Sequence, residues 1–316
     1  MHVVYFGSGT FGLPTLQMLA DEHQLLAVVS QPDRPAGRGW ALTPTPISQW
    51  VIESGRGSLL LRPERVNEPS QIEQLRSLGA DAWVVIAYGQ KLGARLLADQ
   101  FAINLHASLL PRWRGAAPIN AAMLAGDQTT GNSVITLADR MDAGLVLGQT
   151  RREIDPSRTA GELHDLLSQD GPALVRQVLS AHLAATLHAQ PQDEALVTLA
   201  PKLSRSDAWL DLSAPAAAVQ RRVHGLTPWP GVTVRLGGAE FKLLRVQVEP
   251  GLSEQAGAAP GSLLDADRGV IACGGGTRLR VEELQPSGKR AMSWSQFARG
   301  NHPEAGSTLR CVQERA

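Results

Sequence analysis

Two polar residues, Asn104 and His106, lie at the end of a short apolar run that begins at Phe101. Such a run is typical of a buried strand. On an extended backbone, residues two apart leave the same face, so both side chains are expected on one side. An amide and an imidazole presented together can supply an oxyanion donor and a proton-transfer group. The alternative is structural, because polar residues at strand ends often tie the following loop to the backbone.

A carboxylate further along the chain could complete this pair. Asp142 opens an Asp-Ala-Gly sequence that predicts a turn between two apolar stretches. A carboxylate at that turn could orient the imidazole or a bound water. The two cysteines, Cys273 and Cys311, are remote in sequence and have no metal-binding spacing, so neither a covalent intermediate nor a metal is expected.

The N-terminal half has the pattern of an α/β domain. Strand-like runs at 3–6 and 25–30 flank an apolar helix at about 14–20, which predicts a βαβ unit and a mostly parallel sheet. The uninterrupted apolar run at 82–88 is typical of a central parallel strand. Ligands of open α/β sheets bind beyond the carboxyl ends of the strands, so Tyr88 and Gly89 are expected in the same cleft as the imidazole. Simple packing is an equally good interpretation of Tyr88.

The first turn of this domain supports a competing hypothesis. Gly7, Gly9 and Gly12 form a G-x-G-x-x-G sequence, and Asp33 follows at the end of the second strand. That pattern is the fingerprint of a dinucleotide site. It would make the protein an NAD-dependent oxidoreductase.

The C-terminal part of the chain changes character. Residues 187–203 combine prolines with charged residues, so we predict a linker there, a catalytic domain at 1–186 and a second domain at 204–316. Glycine turns separate four short strand-like runs in the second domain, which favours a small β-barrel. These runs cover residues 232–236, 241–248, 269–273 and 278–284.

Bulk composition limits the partners only weakly. The 316 residues are 43% hydrophobic, and 30 basic residues balance 30 acidic ones, so net charge gives no evidence for nucleic acid. A slight excess of basic residues after residue 203 has the sign expected of an RNA-binding half.

We expect a cytoplasmic monomer without a signal peptide or membrane span, because the two thiols fit a reducing compartment and no apolar run is long enough to cross a bilayer.

Four separated blocks of sequence resemble the folate-dependent formyltransferases and occur in that family's order. They are Asn104-x-His106, Ser108-Leu109-Leu110-Pro111, Arg114-Gly115-Ala116-Ala117-Pro118-Ile119 and Asp142-x-Gly144. The resemblance implies a Rossmann-like catalytic domain, an OB-like C-terminal barrel and 10-formyltetrahydrofolate as formyl donor. It implies that Asn104, His106 and Asp142 are catalytic. It also implies a folate site formed by Ser108, Leu109, Leu110, Pro111, Ile86, Tyr88 and Gly89.

The choice of acceptor depends on another segment. Residues 31–40 interleave prolines, glycines and arginines without apolar periodicity, which predicts a surface loop. The segment resembles the loop by which family members that formylate initiator methionyl-tRNA are thought to grip its acceptor end. Arg34 and Arg38 would then meet phosphates. A solvated connector is the alternative for this loop.

Two further functions are compatible with parts of the sequence. A formyltransferase for another amine, such as a nucleotide sugar or glycinamide ribotide, is not expected to carry the arginine loop. A non-enzymatic RNA-binding module would leave Asn104, His106 and Asp142 unexplained.

Overall fold

The computed structural model describes residues 1–36, 41–250 and 258–313. The chain forms two compact units, and each unit draws on three separate segments of the sequence. The first unit contains Met1–Gly115, Thr130–Arg152 and His164–Leu199. The second contains Ala116–Thr129, Glu153–Leu163 and Ala200–Ala316. Within the described ranges, no helix combines the length and the apolar character needed to cross a membrane.

The elements alternate between strands and helices up to about residue 183 and are mainly strands afterwards. The strands are β1 (His2–Gly7), β2 (Gln24–Val29), β3 (Arg34–Ala36), β4 (Ala41–Thr43), β5 (Leu60–Leu61), β6 (Ala82–Ile86), β7 (Ala102–His106), β8 (Arg114–Gly115), β9 (Thr129–Thr136), β10 (Val146–Glu153), β11 (Leu199–Ala200), β12 (Val232–Leu236), β13 (Ala239–Glu249), β14 (Leu263–Asp265), β15 (Val270–Ala272), β16 (Arg278–Pro286), β17 (Met292–Ser293) and β18 (Leu309–Cys311). The helices are α1 (Leu13–Glu22), α2 (Pro46–Glu53), α3 (Pro69–Ser77), α4 (Ala94–Leu97), α5 (Pro118–Ala125), α6 (Ala160–Leu183), α7 (Ala216–Gly225) and α8 (Trp294–Asn301).

The first unit is built on a seven-stranded sheet in the order β10-β9-β7-β6-β1-β2-β5. Strands β5, β2, β1, β6 and β7 run parallel, and β9 is antiparallel to β7. The central strand β6 is apolar throughout because both faces of the sheet are covered, and all five of its residues are buried. The predicted mostly parallel sheet wrapped by helices is therefore confirmed.

The glycines of the first turn have a packing role. A Cβ on Gly12 would lie 1.9 Å from the hydroxyl oxygen of Tyr5, and one on Gly7 would lie 2.5 Å from it. Asp33 forms an ion pair at 2.7 Å with Arg62. Gly7, Gly12 and Asp33 thus have partners within the protein, which account for them without a bound nucleotide.

We expect the substitution Gly12→Ala to lower the free energy of unfolding by about 2 kcal/mol, because Tyr5 is fully buried and cannot yield to the added methyl group. Urea titrations would measure this loss. Gly57→Ala is the control, since its Cβ would meet no atom within 4 Å. Tyr5→Phe should partly rescue Gly12→Ala, and an absence of rescue would contradict this steric explanation.

In the sequence, Thr159-Ala160-Gly161-Glu162 predicts a capping box that opens a helix through Leu167; helix α6 begins there but extends further. Thr159 and Glu162 form the predicted capping box, with the Thr159 N–H donating to Glu162 at 2.8 Å. The predicted end at Leu167 is wrong, because the helix continues through Pro172 to Leu183. The continuation is stabilised by apolar side chains that are buried beyond the proline: Leu174, Val175, Val178 and Leu179.

The second unit is built on an antiparallel sheet in the order β14-β15-β16-β13-β12-β18, with β17 paired to β16. Its two outer strands are joined by backbone hydrogen bonds. The Leu263 N–H donates to Ser307 at 2.8 Å, and the Leu309 N–H donates to Gly261 at 2.8 Å. The sheet therefore curls on itself, which confirms the predicted small barrel.

His224 on α7 is buried in the core of this unit, with 1% of its surface exposed. Its Nδ1 lies 2.9 Å from the Pro156 carbonyl, and its Nε2 lies 3.1 Å from the Val246 N–H. A carbonyl only accepts, so Nδ1 carries the proton and Nε2 accepts from the amide. A second proton on the ring would break the bond with Val246. Burial lowers the pKa of His224 below its usual 6.5.

We therefore expect acid to destabilise the protein through His224. The unfolded chain binds a proton at this residue as the pH falls below 6.5, whereas the folded chain resists it, so folding stability is lost in that direction. The free energy of unfolding can fall by at most about 1.4 kcal/mol per pH unit, because only one proton is bound at this residue. Urea titrations at pH 7 and 5 would measure it. A His224→Gln variant should lose less stability over the same interval, and an identical loss would exclude His224 as the cause.

Candidate active site

His106 ends strand β7 with a fixed ring orientation. Its Nε2 lies 2.9 Å from the carbonyl oxygen of Trp113, and its side chain is 7% exposed. Because that carbonyl can only accept, the hydrogen bond assigns the proton of the neutral ring to Nε2. The Nδ1 lone pair is then available to accept a proton.

Asp142 lies on the Nδ1 side of the same ring. Its Oδ2 is 3.6 Å from His106 Nδ1, and the same oxygen accepts a hydrogen bond of 2.9 Å from the Gly115 N–H. The carboxylate is 13% exposed, so little solvent screens it from a protonated imidazole. The structure thus brings together an imidazole and a carboxylate that are 36 residues apart in the sequence.

Asn104 lies two residues before His106 on β7, in register with Val85 of β6 and Ile135 of β9. Its side chain is half-buried, and within the described part of the chain its amide makes no hydrogen bond. An amide in this condition remains available to a ligand. The predicted shared face of Asn104 and His106 follows from the extended backbone of β7.

The segment from Ser108 to Pro111 is tied to strand β9 by Ser133. The Ser133 hydroxyl donates to the Ser108 carbonyl at 2.6 Å and accepts from the Leu110 N–H at 3.0 Å. Gln149 donates to the Leu110 carbonyl at 2.9 Å. Of the four residues predicted to contact folate here, Ser108 and Leu110 are buried, whereas Leu109 and Pro111 are half-buried.

The last residue of β6 and the turn that follows it are also predicted to contact folate. Ile86 is fully buried, and Tyr88 is 2% exposed and packs edge-on against Phe6, with ring centroids 5.6 Å apart. Burial raises the pKa of Tyr88. Gly89 is exposed with φ +90°, and the side chain of Gln31 lies beside it. The Gln31 amide nitrogen is buried without a hydrogen-bond partner among the described residues, so an unused donor lies next to exposed backbone.

The predicted arginine loop is partly corrected by the structure. Arg34 is not in a loop but begins β3, which pairs with β4 in a two-stranded ribbon. A proline at position 35 is tolerated because this isolated ribbon leaves one side of each strand unpaired. Arg34 is exposed and forms an ion pair with Glu64 at 2.9 Å. Arg38 lies outside the described residues.

A group of residues that support this site could not be identified from the sequence. The Thr198 hydroxyl accepts from the Trp113 N–H at 2.9 Å, and the Thr198 carbonyl accepts from the Arg114 N–H at 2.9 Å. The side chain of Gln192, in the same unit, donates a hydrogen bond to the Asp142 carbonyl. No spacing rule could have identified these contacts, because they join segments that are distant in the sequence.

Comparisons with known sequences identify both halves of the chain. Residues 1–179 match the sequence model of the formyl transferase family, and residues 202–302 match that of the formyl transferase C-terminal domain. A methionyl-tRNA formyltransferase from Methylococcus capsulatus is 40% identical, covering 98% of this chain and 99% of the relative. One from Salinispora arenicola is 39% identical, covering 98% and 100%.

Solved structures share the fold at low sequence identity. An N-formyltransferase from Helicobacter canadensis, in complex with folinic acid and dTDP-3-aminofucose, superposes with a TM-score of 0.65 at 11% identity, covering 90% of this chain and 98% of the other. HypX from Aquifex aeolicus, in complex with tetrahydrofolic acid, gives a TM-score of 0.62 at 14% identity, covering 94% and 46%.

Proposed function

Since the chain belongs to the formyl transferase family, we propose that it transfers a formyl group from 10-formyltetrahydrofolate to the α-amino group of initiator methionyl-tRNA, for translation initiation. Relatives named for this activity match nearly the full chain at about 40% identity. The observation that carries the proposal is that a chain of this family places the fixed imidazole of His106 beside the Asp142 carboxylate, with the free amide of Asn104 on the same strand.

The acceptor amine must lose a proton as it attacks. A free α-amino group has a pKa near 8, so part of it is protonated at neutral pH. As the new C–N bond forms at the formyl carbon, we assign the amine proton to Nδ1 of His106, directly or through a water. Asp142 would stabilise the resulting imidazolium, and the Trp113 carbonyl would keep the ring from turning.

The tetrahedral intermediate carries an oxyanion. We assign Asn104 as its donor, because this amide is available at the same strand end and such a donor contributes about 3 kcal/mol. Collapse then breaks the bond between the formyl carbon and N10 of the folate. The proton held by His106 passes to N10, so tetrahydrofolate leaves neutral at that nitrogen and the enzyme returns to its initial state.

The folate assignment stays a prediction for Ile86, Tyr88, Gly89 and the segment 108–111. The unused Gln31 donor and the exposed backbone at Gly89 support it, because a pteridine ring is recognised through hydrogen bonds. The burial of Ile86 and Tyr88 indicates that these two side chains would shape the pocket rather than bind polar atoms.

The tRNA assignment of Arg34 and Arg38 also stays a prediction. The exposure of Arg34 supports it, since its ion pair with Glu64 is solvated and therefore easily exchanged for a phosphate. We place the reaction in the cytoplasm, where charged tRNA is used. The two free cysteines agree with a reducing compartment.

An assay with 10-formyltetrahydrofolate and two charged tRNAs would test the proposal. We expect rapid formylation of methionyl initiator tRNA and little reaction with methionyl elongator tRNA. Nucleotide amino sugars and glycinamide ribotide should not be formylated. Faster turnover of either small amine than of the charged initiator would overturn the proposed acceptor.

A further inference from the structure

Gln192 connects the Asp142 turn to a buried arginine. Its Nε2 donates to the Asp142 carbonyl at 2.7 Å and to the Gly144 carbonyl at 2.8 Å. Its Oε1 accepts from Nε of Arg114 at 2.9 Å. A guanidinium only donates, so Arg114 sets the orientation of the amide and directs its NH2 group toward the turn.

The Asp142 turn needs such support. Asp142 has φ +54°, a left-handed conformation that costs a non-glycine residue about 1 kcal/mol. Gly144 lies so close to strand β9 that a Cβ there would be 1.7 Å from the Thr136 carbonyl oxygen. The turn is therefore held in one unusual backbone conformation, and both carbonyls that Gln192 binds belong to it.

Arg114 is itself fixed. Its side chain is 4% exposed, and its Nη2 lies 2.8 Å from Glu194, which also pairs with Arg140 at 3.2 Å. A buried guanidinium is costly unless it is paired and hydrogen-bonded, and both conditions are met here. The pairing with Arg114 lowers the pKa of Glu194, so this partner stays ionised at neutral pH.

We infer that Gln192, oriented by Arg114, is a positioning residue that holds the Asp142 carboxylate beside His106. In the described structure the side chain of Gln192 hydrogen-bonds Arg114 and the turn but not His106, so it acts through the backbone of the turn. A segment predicted to be a linker thus contributes to the catalytic geometry. The inference rests on the proposed function, because it concerns the activity of the same site.

The variant Gln192→Glu separates this role from simple packing. A glutamate keeps the shape of the side chain and can still accept from Arg114, but an ionised carboxylate cannot donate to two carbonyls. We expect kcat to fall 10- to 100-fold, with KM for the tRNA and for the folate changed less than about twofold. Gln190→Glu is the matched control. It makes the same chemical change two residues away on an exposed side chain, and its kcat should equal that of the wild type.

A double-variant cycle tests whether Gln192 acts through Asp142. If it does, Gln192→Glu combined with Asp142→Ala should have the kcat of Asp142→Ala alone. Independent, multiplied losses would overturn the inference, and so would an unchanged kcat in Gln192→Glu.

Hydrogen–deuterium exchange gives a readout that does not require activity. The Gly115 amide donates to the Asp142 carboxylate, so its exchange should accelerate in Gln192→Glu and not in Gln190→Glu. Unchanged exchange at Gly115 would overturn the inference. A wild-type protein that fails to formylate charged tRNA would instead refute the proposed function, while the exchange result would still decide the role of Gln192.

Discussion

Replacing His106 with alanine is expected to lower kcat for the formylation of charged initiator tRNA by at least about 100-fold, the loss usual for a general base. The imidazole is the only titratable side chain paired with Asp142 in the described structure, and its Nδ1 is the one ring atom left to accept a proton. Single-turnover assays at saturating folate and tRNA would isolate this step from substrate binding.

His188→Ala is the matched control for this variant. His188 is exposed in the same unit, so its loss removes an imidazole without touching the site. The two variants should unfold at urea concentrations close to that of the wild type. A His106→Ala enzyme with kcat within about tenfold of the wild type, a difference of roughly 1.4 kcal/mol, would remove His106 from the mechanism.

Replacing Asn104 with alanine is expected to lower kcat about 100-fold or more, because one oxyanion donor contributes roughly 3 kcal/mol to the transition state. The free amide makes no hydrogen bond within the described structure, so its removal should cost little folding stability. The effect should therefore appear in kcat and not in the urea midpoint.

Binding of folinic acid to Asn104→Ala provides the second measurement. If the amide acts on the intermediate alone, the dissociation constant for this stable folate should change less than about threefold. A large loss of folate affinity with kcat retained at saturation would assign Asn104 to substrate binding instead.

The pattern of hydrophobic residues predicts much of the fold because burial dominates it. Strand β6 is apolar at every position and lies in the centre of the sheet, as its composition predicts. Helix α6 shows where this reasoning fails. Pro172 would end an isolated helix, but the buried apolar side chains that follow it stabilise the continuation. The burial of these side chains therefore outweighs the tendency of proline to end a helix.

The candidate site was only partly predictable for a related reason. The spacing of Asn104 and His106 is local, so the period of a strand is enough to place them on one face. The partners that fix His106 and Asp142 include the Trp113 carbonyl and the Gly115 N–H. These are backbone groups, which every residue type except proline supplies, so residue types could not identify them. The polar side chain of Gln192 could equally have been solvated, so only tertiary structure reveals its contacts.

Because the second unit is assembled from three separate segments of the chain, a truncated protein that keeps only the last segment is incomplete. Asn120 donates to the Gly225 carbonyl at 2.7 Å, and Glu162 pairs with Arg245 at 2.8 Å, so two upstream peptides complete this unit. A fragment starting at residue 204 would lack both peptides and would leave Arg245 without Glu162 and His224 without the Pro156 carbonyl. We therefore expect such a fragment to be poorly expressed or aggregated, and RNA-binding measurements made with it would underestimate the affinity of the intact chain.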